Sequence, residues 1–389
     1  AYGCPFCIRI HTCMRNTLFT LHKYTGLITG LLLVVIGLSG SLLVFHDGLD
    51  ESLNPQLMTE GSETLPFNDI VASAEAELGR KALRLEPAQD SGSPHTLRFF
   101  AQPGEPGPIQ VSVSPYTGEV LAIRTWGDYL MTWIYSLHYT LLSGEIGEIV
   151  VGVLGLCLLG FCLTGVYLWW PTGKRKGKWR RNLTIKRGGG TYRLHFDLHQ
   201  VIGIYFLPVL LVVAFSGVTL IFPTQVAALV NAVLPLEKRP SPSSTLPDSP
   251  GTPSITPQQS LDIARTVFPQ APLIRLDFPR SETGSYSLAF NRDGEPWQHY
   301  GASRIWVDQY SGEVLAVWDA PNVAAGSQFM TWQFPLHNGD ALGMPGRIIV
   351  LISGLTPLLF FITGTYMWWQ KRQLRRQAQR RKLARQQAR

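Results

Sequence analysis

Four uninterrupted apolar stretches dominate the hydropathy pattern of the chain. They cover residues 27–45, 149–170, 201–222 and 348–369, and none contains a charged residue. Each has about 20 residues, the length at which a helix crosses roughly 30 Å of hydrocarbon. Buried core helices of a soluble protein are the alternative, but basic flanks around four such stretches favour membrane spans. The first stretch is longer than the apolar part of a signal peptide, and no small-residue cleavage site follows it.

Shorter elements are predicted in the two long segments that separate the spans. The stretches 66–79 and 256–269 have the apolar spacing of amphipathic helices. Apolar and polar residues alternate, as in strands, at 96–102, 109–114, 285–290 and 303–308. Each long segment is therefore predicted to be a small α+β domain. The Pro- and Ser-rich stretch 237–254 is predicted to be an extended linker.

The chain contains an internal sequence repeat. Three motifs occur in both halves: Tyr-x-Gly-Glu-Val-Leu-Ala at 116–122 and 310–316, Met-Thr-Trp followed by Leu-His at 131–138 and 330–337, and Thr-Gly-x-Tyr-x-Trp-Trp at 164–170 and 363–369. Each copy is an entering helix, an outside domain and a returning helix. Because both copies have the same orientation, they form parallel repeats about an axis near the membrane normal.

Basic residues predict how the chain is oriented. The loop between spans two and three, the C-terminal tail and the start of the chain are rich in Lys and Arg, so they are expected on the cytoplasmic side. The predicted order is a cytoplasmic N-terminus (1–16), span one (17–46), outside domain one (47–144), span two (145–170), a basic cytoplasmic loop (171–194), span three (195–223), outside domain two (224–342), span four (343–370) and a basic cytoplasmic tail (371–389).

Composition agrees with this arrangement. Hydrophobic residues make up 45% of the 389 residues and charged residues only 16%, which fits a membrane protein with large domains outside the bilayer. The net charge of +7 follows from the topology and does not indicate nucleic-acid binding. The outside domains contain no cysteine, so no disulfides hold them. Cys4, Cys7 and Cys13 form a cysteine-rich start whose role the sequence leaves open.

Histidines recur at the same places in both repeats. His22 pairs with His199 at the cytoplasmic ends of spans one and three, and His138 pairs with His337 just outside spans two and four. A histidine within a membrane segment costs free energy. A histidine at the equivalent position of both repeats is therefore expected to make a favourable interaction that offsets this cost. Two facing imidazoles in a helical bundle are what a six-coordinate haem iron needs. The sequence therefore predicts two bis-histidine sites, one near each face of the bilayer.

Glycines accompany the inner pair. Gly26 and Gly30 follow His22 on one helical face, and Gly203 follows His199 in the same way. They are expected either to leave room for a flat porphyrin or to allow close helix packing. His195, one turn before His199, is a further candidate as an alternative ligand, a propionate partner or a headgroup contact.

Two alternatives concern the metal chemistry. His46 has no histidine counterpart in the second repeat and is kept as a substitute ligand for the outer site. A zinc site is disfavoured because no carboxylate or cysteine accompanies the paired histidines at catalytic-zinc spacing.

The combined motifs resemble the PepSY-associated transmembrane family, over about residues 16–370. The Leu-His-x-x-x-Gly openings at 21–26 and 198–203 and the repeated motifs above carry the resemblance. It implies four transmembrane helices with two small PepSY-like periplasmic domains, two haems b, and the ligands His22, His138, His199 and His337. It further implies a bacterial inner-membrane ferrisiderophore reductase that reduces hydroxamate-bound iron in the periplasm. The electron donor, a cytoplasmic protein or a quinol, is left open.

Two other functions remain open from the sequence. The outside domains of a PepSY-like protein are suited to a binding or regulatory role with the helices as an anchor. A siderophore permease is the third hypothesis, although no span contains a charge at its midplane or an obvious break.

Overall fold

The computed structural model describes residues 5–172, 179–186, 188–249, 251–297 and 300–387, with side chains from residue 13 onward. The chain divides into two compact units. The membrane unit comprises Ala1–Val44, Leu137–Ile221 and Ile348–Arg389, and the sheet unit comprises Phe45–Ser136 and Phe222–Arg347.

Four helices among the described residues are long and apolar enough to cross a membrane. They are α1 (Pro5–Leu43), α5 (Gly144–Trp169), α6 (Gly190–Ile221) and α11 (Gly343–Gln387). The prediction of a membrane protein with four apolar helices is confirmed. Helix α11 continues through the basic tail because Gln, Arg, Lys, Ala and Leu are good helix formers and the tail contains no Gly or Pro.

The four long helices pack side by side in the membrane unit. Helix α5 packs against both α1 and α6. Helices α1 and α11 cross closely where Gly37 meets Gly354 and the hydroxyl of Ser41 donates to the carbonyl oxygen of Leu351, at 2.8 Å. Small residues at a crossing bring two helix backbones together, a common way for membrane helices to associate.

The sheet unit is built on one antiparallel sheet. Its strands are β1 (Arg84–Glu86), β2 (His95–Phe99), β3 (Ile109–Val113), β4 (Val120–Thr125), β5 (Leu273–Asp277), β6 (Ser285–Phe290), β7 (Ser303–Asp308) and β8 (Val314–Trp318). The order is β4-β3-β2-β1-β5-β6-β7-β8. The strands predicted at 109–114, 285–290 and 303–308 are confirmed, and the strand predicted at 96–102 runs from His95 to Phe99 and is shorter than expected.

The two expected α+β domains are joined into this one sheet. Strands β1 and β5 pair with Arg84 opposite Asp277 and Leu85 opposite Leu276. An exposed strand edge is a row of unsatisfied backbone groups, so pairing β1 with β5 satisfies an edge of each half. Sequence patterning describes each half separately and does not reveal that the halves share a sheet.

Helices α3 (Phe67–Leu78) and α8 (Pro257–Val267) cover one face of the sheet, confirming the two predicted amphipathic helices. Helix α8 begins with a capping box in which the side chains of Thr256 and Gln259 each accept from the other residue's backbone N–H. The core between helices and sheet includes Ile70, Leu85, Leu97, Leu276, Leu288 and Ile305.

The remaining helices are short. They are α2 (His46–Leu53), α4 (Leu130–Thr140), α7 (Pro223–Asn231), α9 (Ala325–Thr331) and α10 (Gln333–Asn338), with 3-10 turns at Pro55–Leu57, Trp179–Leu183, Ala320–Asn322 and Asp340–Leu342. The segment predicted as a linker has no helix or strand in its described part. It lies against the sheet, where the backbone N–H of Ser244 donates to the carbonyl oxygen of Thr283 at 2.9 Å.

Candidate functional site

The inner histidines lie side by side in the membrane unit. The ring centroids of His22 on α1 and His199 on α6 are 6.4 Å apart, with their planes at 71°. Both side chains are half-buried between helices. Two imidazoles that bind one metal ion through nitrogens about 2 Å away place their ring centroids roughly 6 Å apart. The spacing therefore suits a pair of axial ligands.

Each of these histidines contacts a threonine on the returning helix of its own repeat. His22 Nδ1 lies 2.8 Å from the hydroxyl oxygen of Thr164, and His199 Nδ1 lies 2.8 Å from that of Thr363. The threonine hydroxyls in turn lie 2.6 Å from the carbonyl oxygen of Gly160 and 2.7 Å from that of Leu359.

These contacts decide which ring nitrogen carries the proton. A hydroxyl has one proton, and each threonine donates it to a carbonyl, so toward the histidine the hydroxyl oxygen accepts. Nδ1–H of each neutral ring is then the donor, and Nε2 keeps its lone pair. A histidine that ligates a metal commonly donates its other N–H to such a partner, which fixes the ring orientation. Both threonines open the repeated Thr-Gly-x-Tyr-x-Trp-Trp motif, so the sequence marks their positions but not their contact with the histidines.

Phenylalanines line the inner pair. The ring centroids of His22 and Phe161 are 5.2 Å apart, and so are those of His199 and Phe360. These apolar rings restrict access of water to the imidazoles. The repeat symmetry thus extends from the histidine to its threonine and its phenylalanine.

The glycines lie beside these same aromatic rings. A methyl group on Gly26 would lie 3.9 Å from Phe161, and one on Gly203 would lie 3.9 Å from Phe360. At Gly30 a methyl group would meet the Phe361 ring at 2.5 Å, so helix packing accounts for this glycine. The role of the three glycines in making room for a porphyrin stays a prediction.

His195 lies one turn before His199 on α6. Its ring centroid is 4.1 Å from that of Tyr366, at an angle of 34°. Its Nδ1 is buried and makes no hydrogen bond within the described part of the chain. The Tyr366 contact holds the imidazole beside α11, and its role as an alternative ligand or a propionate partner stays a prediction.

His138 lies on α4 and packs against α1. Its Nδ1 is 2.9 Å from the carbonyl oxygen of Ile36 and 3.2 Å from the hydroxyl oxygen of Ser39. A carbonyl oxygen only accepts, so Nδ1 again carries the proton and Nε2 the lone pair. A methyl group on Gly40 would lie 2.7 Å from Cε1 of this ring, so only glycine fits there without a shift.

The offset in sequence that relates His22 to His199 also relates Ser39 and Gly40 to Ser216 and Gly217. This repeated Ser-Gly pair is the sequence signal that marks the residues beside His138. His337 lies on α10 in the sheet unit and is half-buried. Its pairing with His138 stays a prediction.

The substitute ligand His46 opens α2 in the sheet unit. Its Nδ1 lies 2.8 Å from a carboxylate oxygen of Asp47. Its Nε2 is buried and has no hydrogen-bond partner among the described residues. A neighbouring carboxylate orients the ring, as it does for many metal ligands.

The side chains described by the structure contain no group of three or more His, Cys, Asp or Glu residues that could hold a metal ion. A zinc site made only of protein ligands takes three or four of them. A histidine pair instead fits an iron whose other ligands come from a porphyrin. Cys13 is an exposed free cysteine, whereas Cys4 and the side chain of Cys7 lie outside what the structure describes.

Comparison with known proteins agrees with the repeated motifs. The family model for the PepSY-associated TM region matches residues 19–371. The chain belongs to the PepSY-associated transmembrane family. The matched range contains α5, α6, the larger part of α1 and of α11, and the whole eight-stranded sheet.

A curated relative matches a shorter part of this family member. An uncharacterized protein of Pseudomonas aeruginosa is 37% identical over 84 residues, which are 22% of this chain and 20% of the relative. The chain thus matches about a fifth of that relative's length, and the match assigns no activity.

Proposed function

We propose that this protein is an inner-membrane b-type haem oxidoreductase. It passes electrons across the bilayer to a periplasmic ferric siderophore of the hydroxamate class and releases the iron as Fe(II). The observation that carries the proposal is the pair His22 and His199, with both Nδ1 atoms 2.8 Å from threonine hydroxyl oxygens. From these contacts we infer that both Nε2 atoms keep their lone pairs. A structural histidine has no need of this arrangement at the same place in both repeats.

The ligands of the proposed haems come from this chain. His22 and His199 would hold the inner one, and His138 and His337 the outer one. A bound haem b would supply a one-electron carrier. One carrier near each face would divide electron transfer across the bilayer into shorter steps. Thr164 and Thr363 fix the inner imidazoles in one tautomer and one rotation, and Phe161 and Phe360 keep water from them.

The substrate chemistry follows from the hardness of iron. Iron(III) prefers hard oxygen ligands such as hydroxamates, and iron(II) is held by them far less tightly. Transfer of one electron to each chelated Fe(III) therefore releases Fe(II) without breaking the chelator. Two electrons from a quinol donor would reduce two such complexes and set free two protons.

A binding or regulatory module with a membrane anchor is the second candidate. The observation that favours it is that the sheet unit is a compact unit of its own that contains the eight-stranded sheet. The permease hypothesis has less support, because α6 and α11 continue through Pro208 and Pro357 without a break.

An absorbance spectrum of the purified protein tests the proposal. We expect b-type bands that sharpen on reduction with dithionite and two haems per chain. His22→Ala and His199→Ala should each remove one haem and leave the other. A colourless preparation from haem-supplied cells would overturn the proposal in favour of the binding module, and equal loss of both haems in either variant would contradict the inner pair.

A further inference from the structure

The face of the sheet opposite α3 and α8 carries a cluster of arginines. It begins with a repeated tripeptide, Arg84-Leu85-Glu86 in β1 and Arg275-Leu276-Asp277 in β5. Leu85 and Leu276 are fully buried in the core. Because alternate side chains of a strand point to opposite faces, the arginines and acids of both tripeptides lie on the other face.

Ion pairs join the two halves across the β1–β5 junction. Arg84 Nε lies 3.3 Å from Asp277 Oδ1, and Arg275 Nε lies 2.9 Å from Asp277 Oδ2. Arg84 also approaches Glu86, with 3.6 Å between Nη1 and Oε1. Two arginines and two carboxylates would balance one another.

Two further arginines give the cluster a net positive charge. Arg98 of β2 lies 3.1 Å from Glu86, measured from Nε to Oε2, and Arg304 of β7 lies 3.1 Å from Asp277, from Nη1 to Oδ2. We call the six side chains the arginine seam: Arg84, Glu86, Arg98, Arg275, Asp277 and Arg304. Four guanidinium groups share two carboxylates, which leaves an excess of two positive charges.

The excess charge is partly removed from water. The side chain of Arg304 is 15% exposed and that of Arg84 is 22% exposed. Burial, together with the positive charge of Arg275, lowers the pKa of Arg304 to about 10, while Asp277 opposes this shift. Partly buried charges without counter-charges are costly, so an anion placed here would stabilise the seam.

An unused donor points in the same direction. The Nε atom of Arg304 is buried and makes no hydrogen bond within the described residues, whereas Arg84 Nε has only its 3.3 Å ion pair with Asp277. Guanidinium groups offer planar, paired N–H donors that match carboxylate and phosphate oxygens. The seam therefore has both the charge and the donors for an oxyanion.

The repeats differ where the excess arginines lie. Arg98 is paired across β2 and β3 with Gln110, and Arg304 is paired across β6 and β7 with Ala289. Each half thus contributes one extra arginine at an equivalent cross-strand pair, but on opposite members of that pair. A network needed only to join the halves would be complete with the repeated tripeptides.

An aromatic wall borders the seam on one side. The Arg98 guanidinium lies 4.7 Å from the centre of the Trp126 ring, and Trp126 meets Tyr135 edge to face at 5.5 Å. Stacking holds a guanidinium in place and keeps its edge available for hydrogen bonds.

We propose that the arginine seam binds an oxyanion-bearing ligand through its carboxylate or phosphate groups. The ligand is either a free solute or the headgroup of an anionic lipid. The inference concerns the sheet unit alone and holds whether or not the membrane unit carries haem.

The test compares two double variants of the full chain with equal loss of charge. Arg98→Gln/Arg304→Gln removes the excess arginines of the seam. Arg80→Gln/Arg292→Gln removes arginines that pair with Glu105 and Asp319 elsewhere in the sheet unit. Citrate and inorganic phosphate are titrated calorimetrically at matched ionic strength in neutral detergent. Thermal unfolding is measured in nanodiscs of phosphatidylglycerol and of phosphatidylcholine.

We expect citrate or phosphate to bind the natural chain. The seam variant should bind the same anion at least about tenfold more weakly, since hydrogen bonds to charged groups are strong. The matched variant should keep its affinity. If only phosphatidylglycerol stabilises the chain, and the seam variant loses that stabilisation, the oxyanion belongs to a lipid. Absence of every anion effect, or an equal response of the two variants, would overturn the proposal. If the seam variant does not fold, Arg98→Gln alone answers the same question.

Discussion

Nδ1 of His22 lies 2.8 Å from the hydroxyl oxygen of Thr164, and the second repeat reproduces the contact between His199 and Thr363. Each pair joins the entering helix of a repeat to its returning helix. The contact therefore does two things at once: it holds two membrane helices together and it presents the unprotonated Nε2 of the ring.

Removing the threonine hydroxyl should weaken the inner site. In Thr164→Val or Thr363→Val, Nδ1–H loses its acceptor and the ring loses its fixed rotation. Because such partners typically contribute about tenfold or more to affinity, we expect looser haem binding by about that factor. Haem transfer to apomyoglobin measures it.

Thr365→Val is the matched control for the threonine variants. The Thr365 hydroxyl is buried and has no hydrogen-bond partner in the described part of the chain, and the first repeat has Val166 at the corresponding position. Haem should be held by this variant as tightly as by the natural chain. Equal effects at Thr363 and Thr365 would refute the assigned tautomer.

Adding one methyl group at Gly40 should disturb the outer site. In Gly40→Ala the new Cβ would lie 2.7 Å from Cε1 of His138, so the imidazole has to move. We expect selective loss of one haem, read from the difference spectrum. Alanine favours a helix over glycine by about 0.5–1 kcal/mol, so weakening of the helix cannot explain the loss.

Gly160→Ala provides the comparison for Gly40, since a methyl group there meets no atom within 4 Å. Its haem content should equal that of the natural chain. If both glycine variants lose haem equally, the contact between Gly40 and His138 is not the cause.

The outer histidines should respond alike to truncation. His138→Ala and His337→Ala remove proposed ligands of one iron, so each should abolish the same haem and spare the inner one. Haem stoichiometry and the reduced spectrum measure this. Sharply different haem content in the two variants would reject the pair and make His46, with Nδ1 beside Asp47, the next ligand to truncate.

The sheet unit should lose stability in mild acid because of His95. This side chain is 6% exposed, its Nδ1 accepts from the backbone N–H of Ala88 at 2.9 Å, and burial lowers its pKa from 6.5 to about 4. As pH falls below 6.5, the unfolded chain binds the proton first, so stability declines until pH reaches about 4. At pH 5 the loss is about 2 kcal/mol.

His95→Asn isolates this effect, because asparagine offers an acceptor to Ala88 and does not titrate. Hydrogen exchange of the β1–β2 region, compared between the two proteins at pH 7 and pH 5, measures the difference. An identical response to acid in both would show that His95 is not the titrating group.

The sequence by itself determined the four apolar helices, the duplication and the recurrence of histidines at equivalent positions of the two repeats. Long uncharged stretches have one favourable environment, and repeated motifs relate equivalent residues without any knowledge of the fold. The amphipathic helices and alternating strands of the sheet unit were predictable for the same reason, since local periodicity encodes them.

Only the tertiary structure decided which partners these residues meet. Three kinds of contact join helices that are distant in sequence. They are the hydrogen bonds of the Thr164 and Thr363 hydroxyls, the packing of Phe361 against Gly30 and the contact of His138 with Gly40. The joining of the two halves through β1 and β5, which creates the arginine seam, is likewise invisible in either half alone. Periodicity specifies the face that an element buries, whereas packing between elements specifies the atoms that it meets there.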